Sequence, residues 1–454
     1  MESPAELKMS PSPRPTGQAF RWLLVLGSFF LTSYGLANWL ASRQNGVISI
    51  VYDWEKHIPF FAWSIIPYWI IDLLYAASPF VCKTKDELNT HAKRLLSAQI
   101  IAVLIFILFP LKFAFNRPPM EGLSGLLFDI RLGLDQPFNQ APSLHIVFLV
   151  ILWVLYIRHL PGILLWPFHI LILSIGVSVL TTFQHHFIDI PTGILLGWLC
   201  VWMWPDDGMT PLKKAVHKYH HPKNLRIAAY YALSAAILIA ISLIKGNIFL
   251  WLIWPAVSLL LISFFYAWTG SQGFQKQKNG KINPAVHWLL FPYLLGVKIN
   301  SMTRNIRADP GFHIQDGIWI GRFPGVRDIS EGNYKAIIDM TSEHSAPVLG
   351  IPWHSVPCLN LLPPLQDDLM HTANLIESLQ NQGPVLVACS TGRYHSAMAA
   401  AAWLVTSGRA ENTEKAVTML QRLRPSFSFN SRDLDIINGA IDARGLNGGM
   451  KIKQ

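Results

Sequence analysis

TTFQHHFIDIPTG, Thr181 to Gly193, sets two histidines and one carboxylate at the junction between two long apolar runs. Ionisable side chains at the end of a bilayer-spanning segment are costly unless they face a cavity or one another, so they point to function. His185 and Asp189 stand four residues apart. On a helix that spacing stacks them on one face, so that the carboxylate holds one imidazole nitrogen and leaves the other free to attack. His186 is the weaker nucleophile, because the residue four positions on is Ile190. Taken alone, the stretch reads equally as a helix end with polar caps.

The surroundings favour a membrane. Of 454 residues, 51% are hydrophobic and 14% charged, with 17 Trp and 25 Phe, whereas soluble chains carry roughly 25% charge. A net charge of +10 suits a protein bordering an anionic leaflet, so membrane lipids are the expected partners. No basic-aromatic module argues for nucleic acid. Cys82, Cys200, Cys358 and Cys389 are too widely spaced for a disulfide framework or a metal knuckle. No metal or other cofactor is expected.

Residues 1–19 are Pro- and Ser-rich and read as a disordered tail without a cleavable signal pattern. Apolar runs follow near 20–42, 59–82, 95–115, 144–160, 162–182, 190–204, 226–244 and 248–269. About eight transmembrane helices put both ends on one side. In the tail and alternate loops the cations are Lys8, Arg14, Arg21, Lys83, Lys85, Lys93, Arg94, Arg158, Lys213, Lys214, Lys218, Lys223 and Arg226, against Arg43, Lys56, Arg117, Arg131 and Lys245 on the other side. Thirteen against five predicts a multi-pass protein of the cell inner membrane with both termini cytoplasmic. The stretches around residues 117, 145 and 185 then all face outward.

After Gly270, SQGFQKQKNGKINP reads as a basic linker, and the 12-residue run Val286 to Val297 as a helix lying along the inner interface. From about Ile306 the chain reads as a soluble α/β domain. Short β-type runs (GIWIG, AIID, VLVA) alternate with helical stretches (DDLMHTANLIESL, SAMAAAAWLVTS). The expected organisation is a tail (1–19), an all-α polytopic membrane domain (20–270), a linker with interfacial helix (271–304) and a cytoplasmic α/β domain (305–445).

Two further stretches complete a site with His185. In NQAPSLHI, Ser143 precedes an apolar helix whose N-terminus can donate to an anion, with His145 beside it. In LKFAFNRPP, Arg117 ends an apolar run and can grip phosphate through its fork of donors. Each has a plainer reading, His145 as an interfacial aromatic and Arg117 as a snorkelling cation. Together, on one computed face, they point to phosphoryl transfer.

K…RP, PSLH and H-x-x-x-D in this order resemble the type 2 phosphatidic acid phosphatase superfamily, and PSLH with QHHFID is most similar to its sphingolipid-type phosphotransferase branch; the resemblance covers a catalytic core of about 95–205. It implies His185 as a nucleophile forming a phosphohistidine, Asp189 as its orienter and His145 as the acid protonating the leaving group. Arg117, Ser143 and Lys112 would bind phosphate, without a metal. Two positions depart from the pattern. Four residues separate Lys112 from Arg117 where the family has six, and Val179 follows Ser178 where the family has Arg. Gln184 and Arg131 are the candidates to replace that cation.

VLVACSTGRYHSAMA, a β-type run, Cys389, a loop with Gly392 and an Ala-rich helix, resembles the phosphate loop of the cysteine-dependent dual-specificity phosphatases; GIWIGRFP, IIDMTSEHSAP and VPCLNLLPP extend the likeness over about 306–440. The combination resembles bacterial inner-membrane fusions of the two phosphatase types. In the second domain only the cysteine of the expected machinery is intact. His395 stands six after Cys389 where an arginine is needed, and Asn360 stands where the acid should be. Arg393, inside the loop, is the remaining candidate guanidinium.

These residues predict a membrane phosphatase acting on a lipid phosphate or a similar phosphomonoester or pyrophosphate, tethered to a phosphatase-like domain that binds phosphorylated ligands and hydrolyses them poorly. The alternatives are a phosphotransferase passing a phospho-headgroup to an alcohol, a non-catalytic phospholipid or phosphoprotein sensor, and an active protein phosphatase.

Overall fold

The computed structural model describes residues 14–134, 137–207, 210–212, 222–305, 310–348, 350–427 and 429–448. Most of the expected tail, including Lys8, lies outside the described residues, as do Lys213, Lys214 and Lys218 of the charge count. The chain forms two compact units, Met1–Thr210 and Pro211–Gln454. The sequence reading places its boundary near 270, whereas the last two long apolar helices group with the second unit.

The first unit contains α1 (Thr16–Ser42), α2 (Ile65–Val81), α3 (Lys85–Leu108), α4 (Gly122–Leu134), α5 (Leu144–Tyr156), α6 (Gly162–Thr181) and α7 (Asp189–Met203). Among the described residues of the whole chain, six helices are long and apolar enough to cross a membrane. Two of the eight expected runs form shorter helices, α5 with 13 residues and α7 with 15. At ~1.5 Å per residue they reach about 20 Å, less than the ~30 Å hydrocarbon core.

Local chemistry sets these boundaries. Thr84 caps α3 by accepting the Glu87 N–H (3.2 Å), which satisfies one orphan donor of the first turn, and the Glu87 carboxylate accepts the Lys83 N–H (2.8 Å) just before the helix. The apolar run 95–115 does not stay helical to its end. It stops at Leu108 because Pro110 lacks an amide hydrogen and disfavours helix at Phe109 before it. Residues 109–121 run without helix, and from 112 to 117 burial alternates: Lys112, Ala114 and Asn116 are exposed, while Phe113, Phe115 and Arg117 are half-buried.

The two short helices α5 and α7 pack against each other through Gly193 and Gly197. A Cβ at Gly193 would lie 2.8 Å from Ile146 Cβ and from the Ser143 carbonyl oxygen, and one at Gly197 would lie 2.7 Å from Val150 Cβ. Small residues at this spacing let helix backbones approach closely. Here they draw the N-terminal ends of α5 and α7 together.

In the second unit α8 (Pro222–Lys245) and α9 (Ile253–Phe264) are followed by α10 (Pro284–Leu289) and α11 (Phe291–Asn305), so the expected single interfacial helix is two. The α/β part comprises β1 (Gly311–Gln315), β2 (Ile318–Arg322), α12 (Val326–Gly332), β3 (Ala336–Asp339), β4 (Trp353–Ser355), α13 (Gln366–Leu379), β5 (Val385–Cys389), α14 (His395–Thr406), α15 (Thr413–Leu423) and α16 (Ser431–Gly448). Among the described residues the strands form one sheet ordered β1-β2-β5-β3-β4, with β1 antiparallel to β2 and the other pairs parallel. The central β5 is buried along its whole length, which is why it reads as an uninterrupted apolar run rather than an alternation. One face carries Ile318, Ile320, Ile338, Val385 and Val387 against buried residues of α13 to α16, and the other carries Ile337 and Leu386 against Ile329 and Tyr334.

The expected basic linker is part of this fold. Residues 276–282 make a hairpin, with Lys276 bridged to Ile282, and hydrogen bonds run from the Ala346 N–H to the Gly280 carbonyl (2.9 Å) and from the Ser355 N–H to the Lys278 carbonyl (3.2 Å). Lys276 Nζ is fully buried, 2.5 Å from Asp339 Oδ2 and 2.7 Å from the Thr341 carbonyl. Leaving that carboxylate unpaired inside the domain would cost several kcal/mol, on the order of 3–5.

Candidate active site

The first site forms where the starts of α5 and α7 meet. His185 Nδ1 lies 3.1 Å from Asp189 Oδ2, and both side chains are buried. The pairing expected from the sequence exists, but on different grounds. His185 lies in a turn that precedes the helix, and Asp189 is the first residue of α7. Its carboxylate reaches back to His185 and also accepts the His186 N–H at 2.9 Å, as acidic residues in a first helical turn do. The Asp189 carbonyl accepts the Ser143 N–H (3.1 Å), which joins the two helix starts. Nε2 of His185 makes no hydrogen bond among the described residues.

His185 lines two cavities. A cavity of about 290 Å³ is shared with Arg117, Gln184, Asn116 and Gln140, and one of about 70 Å³ with His145, Arg131 and Asp72. Arg117 Nε donates to the Phe183 carbonyl (3.0 Å) and Nη2 to Gln184 Oε1 (3.1 Å). The His145 and His185 ring centroids are 6.1 Å apart, and His145 stacks on Tyr68 at 4.1 Å. Among the described residues, His145 Nε2 and Ser143 Oγ are buried without a hydrogen-bond partner, although buried polar atoms are nearly always satisfied.

Of the two candidates for the missing cation, Gln184 faces the larger cavity and Arg131 the smaller, where it is buried and Nη2 donates to Tyr68 Oη (3.3 Å). Lys112 lines neither cavity and is exposed. Along 112–117 the exposed Lys112 and the half-buried Arg117 fall on opposite sides of the alternation in burial.

Glu55 joins this site without having stood out in the sequence. Its carboxylate, 1% exposed, accepts from His186 Nδ1 (3.0 Å) and from the Phe187 and Tyr52 N–H groups (3.0 and 2.8 Å). The only signal was an acid in the loop between two apolar runs, DWEKH, which is unremarkable until the loop is folded against residue 186.

The second site lies at the C-terminal edge of the parallel strands, where β5 turns into α14. Cys389 is 3% exposed, with Sγ 3.2 Å from Ser396 Oγ. Gly392 has φ +65°, and a Cβ there would meet the Gly321 carbonyl carbon at 2.4 Å, so the turn admits only glycine. Arg393 is exposed and makes no hydrogen bond or ion pair among the described residues. His395 is buried and donates from Nε2 to the Leu362 carbonyl (2.7 Å). Burial pushes its pKa below the ordinary histidine value, so it is neutral and engaged away from the loop. Asn360 is held by its backbone, its carbonyl accepting from Tyr266 Oη (2.7 Å). The loop's neighbour that the sequence did not single out is His344, Nε2 3.5 Å from Ser390 Oγ and stacked on Phe323, with a pKa that burial lowers to about 4.

No protein-family model and no curated protein matches the chain. Among solved structures, Tk-PTP in the active form is similar at 19% identity and TM-score 0.27, covering 30% of this chain and 98% of that one. PTPMT1 in complex with PI(5)P shows 18% identity and TM-score 0.27 over 30% of this chain and 99% of that one, and human DUSP28 17% and 0.27 over 30% and 96%.

Proposed function

We propose that the first unit is an inner-membrane phosphatase, with both chain termini cytoplasmic, that hydrolyses a lipid phosphate at the outer face. Its observation is the buried His185–Asp189 pair (3.1 Å) at the wall of cavities that also hold Arg117, Arg131 and His145. Asp189 holds Nδ1, so the unengaged Nε2 of His185 attacks phosphorus and the bond to the leaving alkoxide breaks. His145 gives the alkoxide a proton, and water then attacks the phosphohistidine. Arg117 and Arg131 supply donors and positive charge for the phosphoryl oxygens, and Ser143 Oγ supplies a further donor. The test is phosphate release by the purified chain across lipid monophosphates and pyrophosphates, with and without added diacylglycerol. Headgroup transfer in place of phosphate release would convert the assignment to a phosphotransferase, and binding without turnover to a sensor.

For the second unit we propose a site that binds phosphate-bearing ligands on the loop 389–395 and turns them over poorly. Backbone N–H groups at the start of α14 favour an anion. His395, neutral and bonded to Leu362, supplies no fork of donors, and the Asn360 amide has no acidic proton.

A further inference from the structure

We propose that Glu55 is a positioning residue, a buried carboxylate that locks His186 so that the 109–121 segment bearing Arg117 stays in register with the loop bearing His185. The inference rests on the phosphatase reading of this site. The Ala114 amide donates to His186 Nε2 at 3.1 Å. An amide nitrogen can only donate, so Nε2 is unprotonated and the ring proton sits on Nδ1, where it bonds Glu55 Oε2 at 3.0 Å. Both nitrogens of His186 are thereby occupied, which excludes it as a nucleophile. The ring is fixed further by Phe113, stacked at 4.4 Å, and Phe115, edge-on at 5.1 Å.

The 109–121 segment is thus fastened to the 183–187 loop at two points. Arg117 bonds Phe183 and Gln184, and Ala114 bonds His186. Glu55 anchors the second point and also ties in the loop after α1 through Tyr52 and Phe187. Burial alone would raise the Glu55 carboxyl pKa, but the N–H donors converging on it hold it below the ordinary value, as expected when hydrogen bonds favour the charged form. With Glu55 changed, His186 loses the acceptor that keeps its proton on Nδ1, the Ala114 bond to Nε2 weakens and the guanidinium drifts from the phosphate. A misplacement of ~1 Å costs on the order of 10²-fold in rate.

The test is a double-mutant cycle on the full-length purified chain with dioleoyl phosphatidate in mixed micelles, using Glu55→Gln, Arg117→Ala and both together. Glu55→Gln alone should lower kcat/KM by on the order of 10- to 100-fold and weaken orthovanadate inhibition. In the Arg117→Ala background the same change should do little more, because the side chain it positions is gone. Multiplicative losses with orthovanadate affinity unchanged would overturn the proposal. His186→Gln, run through the same cycle, answers the question where Glu55→Gln does not fold. A wild-type chain that neither releases phosphate nor binds orthovanadate would instead bring down the phosphatase reading itself.

Discussion

Glu343 offers a perturbation whose size can be worked from the structure. It is buried at the end of the segment that follows β3, and burial raises its carboxyl from the ordinary 4.5 to about 7, partly offset by backbone N–H groups, Asn360 among them, and by Lys276. A group held more protonated in the folded state stabilises the fold fully below its unfolded pKa, and that contribution is lost as pH rises through the folded one. Each tenfold change in proton affinity is ~1.4 kcal/mol. Stability should therefore fall by about 3 kcal/mol between pH 4.5 and about 7 and then level off. Glu343→Gln removes the titration, so the variant should lack this part of the slope and unfold at a temperature higher by roughly 6–12 °C at pH 8.5. Thermal unfolding of the full-length chain in detergent, followed by tryptophan fluorescence at pH 5.5, 7 and 8.5, measures the difference between wild type and variant. Parallel curves for the two proteins, or a variant less stable at pH 8.5, would refute the reasoning.

His185→Ala should abolish phosphate release from lipid substrates and any acid-labile phosphoenzyme, while activity of the wild type survives EDTA; loss restored by zinc or magnesium would sink the metal-free mechanism. His186→Ala should lower stability by about 1–3 kcal/mol, since it strands the buried Glu55 carboxylate and removes the acceptor of the Ala114 N–H, and this is measured as a drop in unfolding temperature. A cysteine at the exposed position Glu121, in a chain stripped of its four native cysteines, should react with a membrane-impermeant maleimide in intact cells; labelling only after permeabilisation would invert the topology. With His185→Ala silencing the first site, aryl phosphate hydrolysis should be slow. Rapid turnover dependent on Cys389 would overturn the assignment of the second site, whereas a gain in Asn360→Asp with His395→Arg would support it. These assays use the full chain, because a fragment starting at residue 305 lacks the buried Lys276 that pairs with Asp339.

Much of this was legible in the sequence, because hydrophobic periodicity and turn residues act over a few positions. The long apolar runs, the uninterrupted VLVA of β5 and the glycine turn after Cys389 each declared an element through its own residues. His145, His185, Asp189 and Arg117, which the fold gathers around two adjoining cavities, were conspicuous in the sequence as polar groups beside apolar runs. Three things waited on the tertiary structure. Lys112 lines neither cavity with His185, because α3 ends before Pro110 and the segment that follows leaves it exposed while Arg117 is half-buried. Lys276, an ordinary linker cation in the sequence, proved to be the buried partner of Asp339, 63 positions along the chain. Glu55 acquired its place only when the loop after α1 folded onto His186, 131 positions away. Local sequence sets a segment's conformation through short-range sterics and hydrogen bonds. Which charge loses its water, and which donor then compensates it, depends on contacts between segments that no local pattern encodes.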